Sequence, residues 1–428
     1  CRYRLGQFEQ SAEMFEQAAK AYGNSIAINE INYMAAMSRF EQGRLAEAES
    51  LFRLVFDKLE KEVTNDPNHP DAEYAFDSGR MYARLVAKNA EAANDVWKRL
   101  TTVFADSSSL DSLLEEWAFF NLGNGNYEQS DAIYKRLLDK FPNSKYAGQA
   151  RLSLAESDML ANRMDEALKE FEAISSGPEF RDQEKESSLY HIVDILAARR
   201  QWPQVLVNAR RFAELYSESP RAARVQLLLA EALLDQKQFA EAKQALGLLR
   251  SAVMENRLAA DPWTERIWVV LADVALAEKR YSDIDVLADE LSQRVPDSKS
   301  LFQMKLVQGL RWKSQAEPDL SRARELFKQV TQDENGRGTE TAARSEFLIA
   351  ETFLLENDLK SALKEYYRVY LSYPFDEWRS LALFQAAGCE ANLGDKSAAI
   401  KGYEDFLKEF PKSSMVDSAK EKLTVLRP

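Results

Sequence analysis

Residues 121–171 read NLGNGNYEQSDAIYKRLLDKFPNSKYAGQARLSLAESDMLANRMDEALKEF. Gly125 is followed by Tyr127, Ser130 and Tyr134, and Asn162 by Met164, Ala167 and Phe171 at the same offsets, 37 residues later. The small residue and the aromatic four places on share one face of a helix, while the residue opening each copy suits a tight turn. Between the copies, Phe141-Pro142-Asn143-Ser144 ends one helix and prepares the next, because proline cannot continue the outgoing helix and Asn or Ser can accept orphan amides.

The same order returns along the chain: Lys237, Phe239, Ala242, Leu246; Asn357, Leu359, Ala362, Tyr366; Gly394, Lys396, Ala399, Tyr403. The turn residues Gly6 and Gly43, Lys88 and Gly125, Arg200 and Lys237, and Asn357 and Gly394 are likewise 37 apart. Val295-Pro296-Asp297-Ser298 and Phe410-Pro411-Lys412-Ser413 repeat the ending, and Ser219-Pro220 is read as the same device with proline at the first helical position. In the helix before each turn stands a small residue, Ala155, Ala230, Ala272, Ala350 or Ala387, where two helices can cross closely. Each pair is too small to hide its apolar face alone and must bury it against the next.

The order turn, aromatic, Ala, aromatic, Pro resembles the tetratricopeptide repeat, a helix–turn–helix unit of about 34 residues. The resemblance covers nearly the whole chain. It implies an all-α fold: a right-handed superhelical solenoid of about eleven antiparallel helix pairs with a C-terminal capping helix. The expected divisions are residues 1–59, 72–249, 262–331 with a loosened ninth repeat, 339–414, and a cap at 415–428. Four departures interrupt the pattern: a long connection Glu60–Asp71 ahead of Lys88, a stretched join Arg250–Pro262, a loose turn Ser314–Leu320, and a loop Asp333–Thr339. The 37-residue unit and its Phe-Pro endings are similar to repeats of bacterial envelope proteins, the outer-membrane assembly lipoproteins and the Tol–Pal coordinator family.

Composition removes several function classes. A net charge of −13 and a pI near 5.0 repel a phosphate backbone, so nucleic acid is not the expected partner. The oiliest segments carry Glu231 and Asp273, so no membrane span is expected. Two cysteines, Cys1 and Cys389, give no disulfide framework. Cys1 reads either as the lipid-bearing first residue of a mature lipoprotein or as a helix residue exposed by truncation. Truncation is favoured, because Arg2–Leu5 runs straight into a helix end.

Chemistry is sparse. The two histidines are His69, in a proline-rich connection and expected to face solvent, and His191, expected at the edge of the core. Neither supports a zinc site. Gly123-Asn124-Gly125 lacks the strand and Lys-Ser/Thr of a phosphate loop, and Asp333-Glu334-Asn335-Gly336 lacks the ligand run of a calcium loop. The expectation is therefore a protein without catalytic residues, metal or cofactor.

In the family it resembles, the first helix of each pair lines a concave face on which a partner segment lies. The residue after the mid-helix small or apolar one is acidic in five units: Glu156, Asp194, Glu231, Asp273 and Glu351. One turn earlier stand Leu152, Tyr190, Leu227, Val269 and Phe347, with Phe384 in the eleventh unit. An acidic rung beside an apolar one suits a peptide carrying Lys or Arg among hydrophobic anchors. The competing reading pairs each acid internally: Arg224 with Asp194, Arg266 with Glu231, Arg344 with Glu351. The expected function is a protein-interaction scaffold in a bacterial cell-envelope assembly, periplasmic or outer-membrane-associated. The alternative is a cytoplasmic adaptor or regulatory module of a larger protein.

Overall fold

The computed structural model describes residues 2–259 and 261–427, so the lipidation reading of Cys1 lies outside the described residues. Among them the chain forms helices and no strands. A short 3-10 turn, Tyr3–Leu5, precedes α1 (Phe8–Ala21), α2 (Ile28–Glu41), α3 (Leu45–Asn65), α4 (Ala72–Leu85) and α5 (Ala90–Val103). Then come α6 (Leu110–Gly123), α7 (Tyr127–Lys140), α8 (Ala147–Leu160), α9 (Met164–Ser176), α10 (Asp182–Ala198) and α11 (Trp202–Leu215). The remainder is α12 (Ala222–Asp235), α13 (Phe239–Met254), α14 (Pro262–Ala277), α15 (Tyr281–Arg294), α16 (Leu301–Lys313) and α17 (Leu320–Gln332). The chain closes with α18 (Glu340–Leu355), α19 (Leu359–Ser372), α20 (Asp376–Asn392), α21 (Lys396–Glu409) and α22 (Val416–Leu426).

The helices gather into two compact units, one up to Ile195 and one from Leu196. In the first, each helix from α1 to α9 packs on the next, and α2 also touches α4. In the second, consecutive packing runs from α11 to α22, and the even-numbered helices α12, α14, α16, α18 and α20 additionally touch one another in a row. Even-numbered helices are thus the first members of the pairs, and their row is the face the sequence assigned to a partner.

The turn inside each pair has one geometry. Gly6, Gly43, Gly125, Asn162, Arg200, Lys237, Lys279, Asn357 and Gly394 all have positive φ, between 55° and 87°. At Gly125 the residue's amide bonds the Leu122 carbonyl (3.1 Å) and the next amide, Asn126, bonds Asn121 (2.9 Å). Asn162 and Arg163 repeat this on Met159 and Asp158, which satisfies the last carbonyls of the outgoing helix. Lys88 departs, as its position in the sequence suggested: no positive φ occurs there, and Asn89 caps α5 by accepting the Ala92 amide (3.1 Å). In the ninth pair Asp319 does the same for Arg322 (2.9 Å).

The joins between pairs differ from the expected caps. Ser25, Ser107, Ser144, Ser219, Ser298 and Ser413 each stand three residues ahead of a first helix or the final one, and each hydroxyl accepts the amide two residues on, at 3.0–3.4 Å. The serine therefore closes a turn before the helix instead of capping it. Pro220 likewise sits in that turn, two residues before α12 begins at Ala222, and not at the first helical position. The first half of the long connection expected at Glu60–Asp71 is helix, since α3 continues to Asn65.

The core follows the repeat. Ala155, Ala230, Ala272, Ala350 and Ala387 are buried, as are Tyr134, Phe171, Leu246, Tyr366 and Tyr403 from the facing helices. Trp97 fills the corresponding place in the third pair. In the ninth, Gly309 is the small residue: a Cβ there would lie 2.4 Å from the Phe327 ring.

Candidate partner-binding face

Three of the five acids on the first helices meet a neighbouring pair. Glu156 on α8 meets His191 on α10, Oε1 to Nε2 at 3.2 Å, and the imidazole stacks on Phe171 with ring centres 4.8 Å apart. His191 thus sits at the core edge, as expected. Glu231 on α12 is ion-paired with Arg266 on α14. Glu351 on α18 pairs with Lys313 on α16 at 2.7 Å, not with Arg344. Asp194 is half-buried on α10 and also engaged. Arg224 lies over the Trp263 ring, 5.9 Å from its centre.

Asp273 on α14 differs from the others. It lines a polar cavity and no ion pair or hydrogen bond holds it among the described residues. Burial pushes its carboxyl up to about 6, and Glu231 pushes the same way, against the opposing pull of Arg344 and Arg266.

Two of the five acids keep open flanks: the side chains of Glu156 and Glu351 are 33% and 32% exposed. The apolar rung lies deeper. Leu152, Phe347 and Phe384 are buried, Phe347 against Tyr366 and Trp378, and Phe384 against Tyr403 and Phe406. Tyr190 is half-buried and meets His191 edge-on. The apolar rung is therefore packed behind the polar edge of the row.

His69, expected to face solvent, is half-buried: its Nδ1 accepts the Asp71 amide (3.1 Å), and Glu62 lies 3.7 Å from its Nε2. Sequence reasoning also missed ties between adjacent pairs. Glu116 on α6 bonds both Arg80 and Arg84 on α4, and Arg99 on α5 holds Glu60 and Asp57 on α3. Ser144 donates to Asp111 (2.6 Å), and Ser298 to Glu265 (2.6 Å), linking successive first helices. Their signal was the unit-length separation of each acid and base, which is not distinctive in a chain with 29% charged residues.

Two tetratricopeptide repeat models match the chain, one at residues 2–63 and 122–179 and the other at 381–413. These matches show tetratricopeptide repeats in the matched segments, and the same pair packing is found in both compact units. The family's repeat is typically a non-catalytic platform for protein partners. Among solved structures, the chain is similar to a tetratricopeptide repeat protein from Parabacteroides merdae, at 13% identity and a TM-score of 0.48, over 64% of this chain and 98% of that one. It is also similar to a chain of the structure of Naa15/Naa10 bound to HypK-THB, at 15% identity and a TM-score of 0.39 over 97% of this chain, which spans 63% of that chain. Comparison with curated proteins finds no match. Among the described residues no helix is long and apolar enough to cross a membrane.

Proposed function

We propose that this protein is a non-enzymatic scaffold that binds extended segments of other proteins along its first helices, within a bacterial cell-envelope assembly. The observation that carries the reading is the acid recurring at one place in five of the first helices, with Glu156 and Glu351 still a third exposed. Partner segments carry Lys or Arg among apolar residues, with Glu156 and Asp194 as polar contacts in the first compact unit and Glu231, Asp273 and Glu351 in the second. Charge pairing at such an edge steers and registers a partner more than it adds affinity. The envelope setting is supported by the 37-residue unit with its Phe-Pro ending, and it places the protein in the periplasm or at the outer membrane.

The test is photo-crosslinking. A benzophenone amino acid replaces Glu156 or Glu351 on first helices, and Val207 or Leu248, both exposed, on second helices. The expected result is a discrete protein adduct from the first-helix positions, competed by a peptide of alternating Lys and Leu. Equal labelling from all four positions, or adducts that the peptide leaves untouched, overturns the assignment. Recovery of the adduct from the cytosolic fraction alone overturns the envelope setting.

A further inference from the structure

Between α12 and α18 of the second compact unit one rung of the row breaks the pattern. After the small mid-helix residue come Glu231 in α12, Asp273 in α14 and Glu351 in α18, but Gly309 in α16 is followed by Leu310. Seven residues before the acid, the same three helices carry Arg224, Arg266 and Arg344. Arg266 reaches back to Glu231 on the preceding first helix. The equivalent partner for Arg344 would stand on α16, where Leu310 is found. Among the described residues Arg344 makes no ion pair or hydrogen bond, and it faces Asp273 one first helix further back.

Arg344 and Asp273 line a cavity of about 340 Å³ between α14, α16, α18 and α20. Arg200, from the turn before α11, borders it by bonding Glu340 at the start of α18 (2.6 Å), with Glu377 of α20 at 3.5 Å. Gln303 and Thr341 add polar groups, and Val269, Leu306 and Trp378 supply an apolar wall. A cavity of this volume with a few convergent polar groups is of the kind that holds a small ligand. A guanidinium presents paired donors that match a planar carboxylate. Asp273, Glu340 and Glu231 balance the guanidiniums of Arg200, Arg266 and Arg344, which opposes a doubly charged phosphate. Arg344 alone of the three has no ion pair among the described residues and is open to a single carboxylate.

We propose that this cavity binds an organic monocarboxylate, its carboxylate on Arg344 and its apolar body against Val269 and Leu306. The group is supplied either by a free small acid or by an acidic side chain of a partner segment. The cavity shares Asp273 with the basic-peptide reading above, but the proposal rests on Arg344 and stands if that reading fails.

Titration calorimetry on the full chain tests it with four probes: N-acetylleucine, its neutral amide, a blocked Leu-Glu-Leu peptide and its Gln counterpart. The expected result is saturable binding of a carboxylate probe, with its neutral counterpart at least tenfold weaker. The tighter of the free acid and the peptide identifies the source. Arg344→Ala weakens binding at least tenfold and Asp273→Asn, which removes a competing carboxylate, tightens it. Arg344→Gln, which keeps a polar chain of similar reach, serves if the alanine variant loses its helical circular dichroism. Absence of saturable carboxylate binding, equal binding of the neutral probes, or unchanged affinity in a folded Arg344 variant overturns the proposal.

Discussion

At the scale of single residues, buried carboxylates carry the sharpest consequences. Glu346 on α18 is buried beside Glu365 and bonded to Arg368 at 2.8 Å. Burial, with the hydrogen bond to Glu365, pushes its carboxyl from 4.5 up to about 7, against the pull of Arg368. The folded chain therefore holds a proton that the unfolded chain has released between pH of about 4.5 and 7. Stability contributed at this site is full below that window and is lost as pH rises through it. Glu346→Gln removes the titration, so urea midpoints at pH 5 and pH 8 are expected to differ less in the variant than in the native protein. An unchanged difference would show that Glu346 is not the group responsible. Nothing in the sequence distinguished Glu346 from the exposed glutamates, because its burial comes from α19 folding onto α18. Turn residues were the opposite case: Gly125, Asn162, Lys237 and Asn357 were legible by position, and each has the left-handed backbone that ends a helix.

At the scale of elements, pair geometry depends on close crossings that admit only small side chains. Gly309 on α16 faces Phe327 on α17, itself fully buried. Gly309→Ala sets two gains in helix propensity and rigidity against a methyl placed 2.4 Å from a ring carbon. Overpacking of this kind costs about 1–3 kcal/mol, more than the roughly 1 kcal/mol that Ala gains over Gly in a helix. The expected outcome is a lowered urea midpoint with Gly309→Ala, and a raised midpoint would mean that Phe327 moves aside freely. The ninth pair was read as having a loosened turn at Ser314–Leu320, and its mid-helix small residue was not assigned. The structure puts that residue inside the helix, at Gly309. Joins were harder to read than turns, because a serine ahead of a helix is consistent with either a cap or a preceding turn. The tertiary partner decides: at Ser144 and Ser298 the hydroxyl also donates to an acid of the previous first helix.

At the scale of the molecule, each pair rests on its neighbours, so damage stays local. Phe406 on α21 packs with Phe384, Phe410 and Leu423, which belong to α20, the following join and α22. Phe406→Ala removes a buried ring at a cost of about 3–5 kcal/mol. Amide exchange is expected to accelerate through α20–α22 while α6–α9, in the other compact unit, keep native protection. Uniform loss of protection along the chain would show one cooperative block in place of a linear array. The periodicity that makes this prediction possible was visible from the sequence, whereas the division near Ile195 and Leu196 was not. It falls inside α10, where no proline, glycine or change in composition marks it.

The sequence by itself determined the helix pairs, their turns, the buried alanines and aromatics, and the absence of a composition suited to nucleic acid. These follow from local spacing: helical periodicity and turn geometry are set within one unit. Only the tertiary structure decided which base answers which acid. Lys313 takes Glu351, and Arg344 is left facing Asp273 because α16 carries Leu310 where its neighbours carry an acid. Such a choice depends on distances between side chains from different pairs, and a repeat length alone does not supply them.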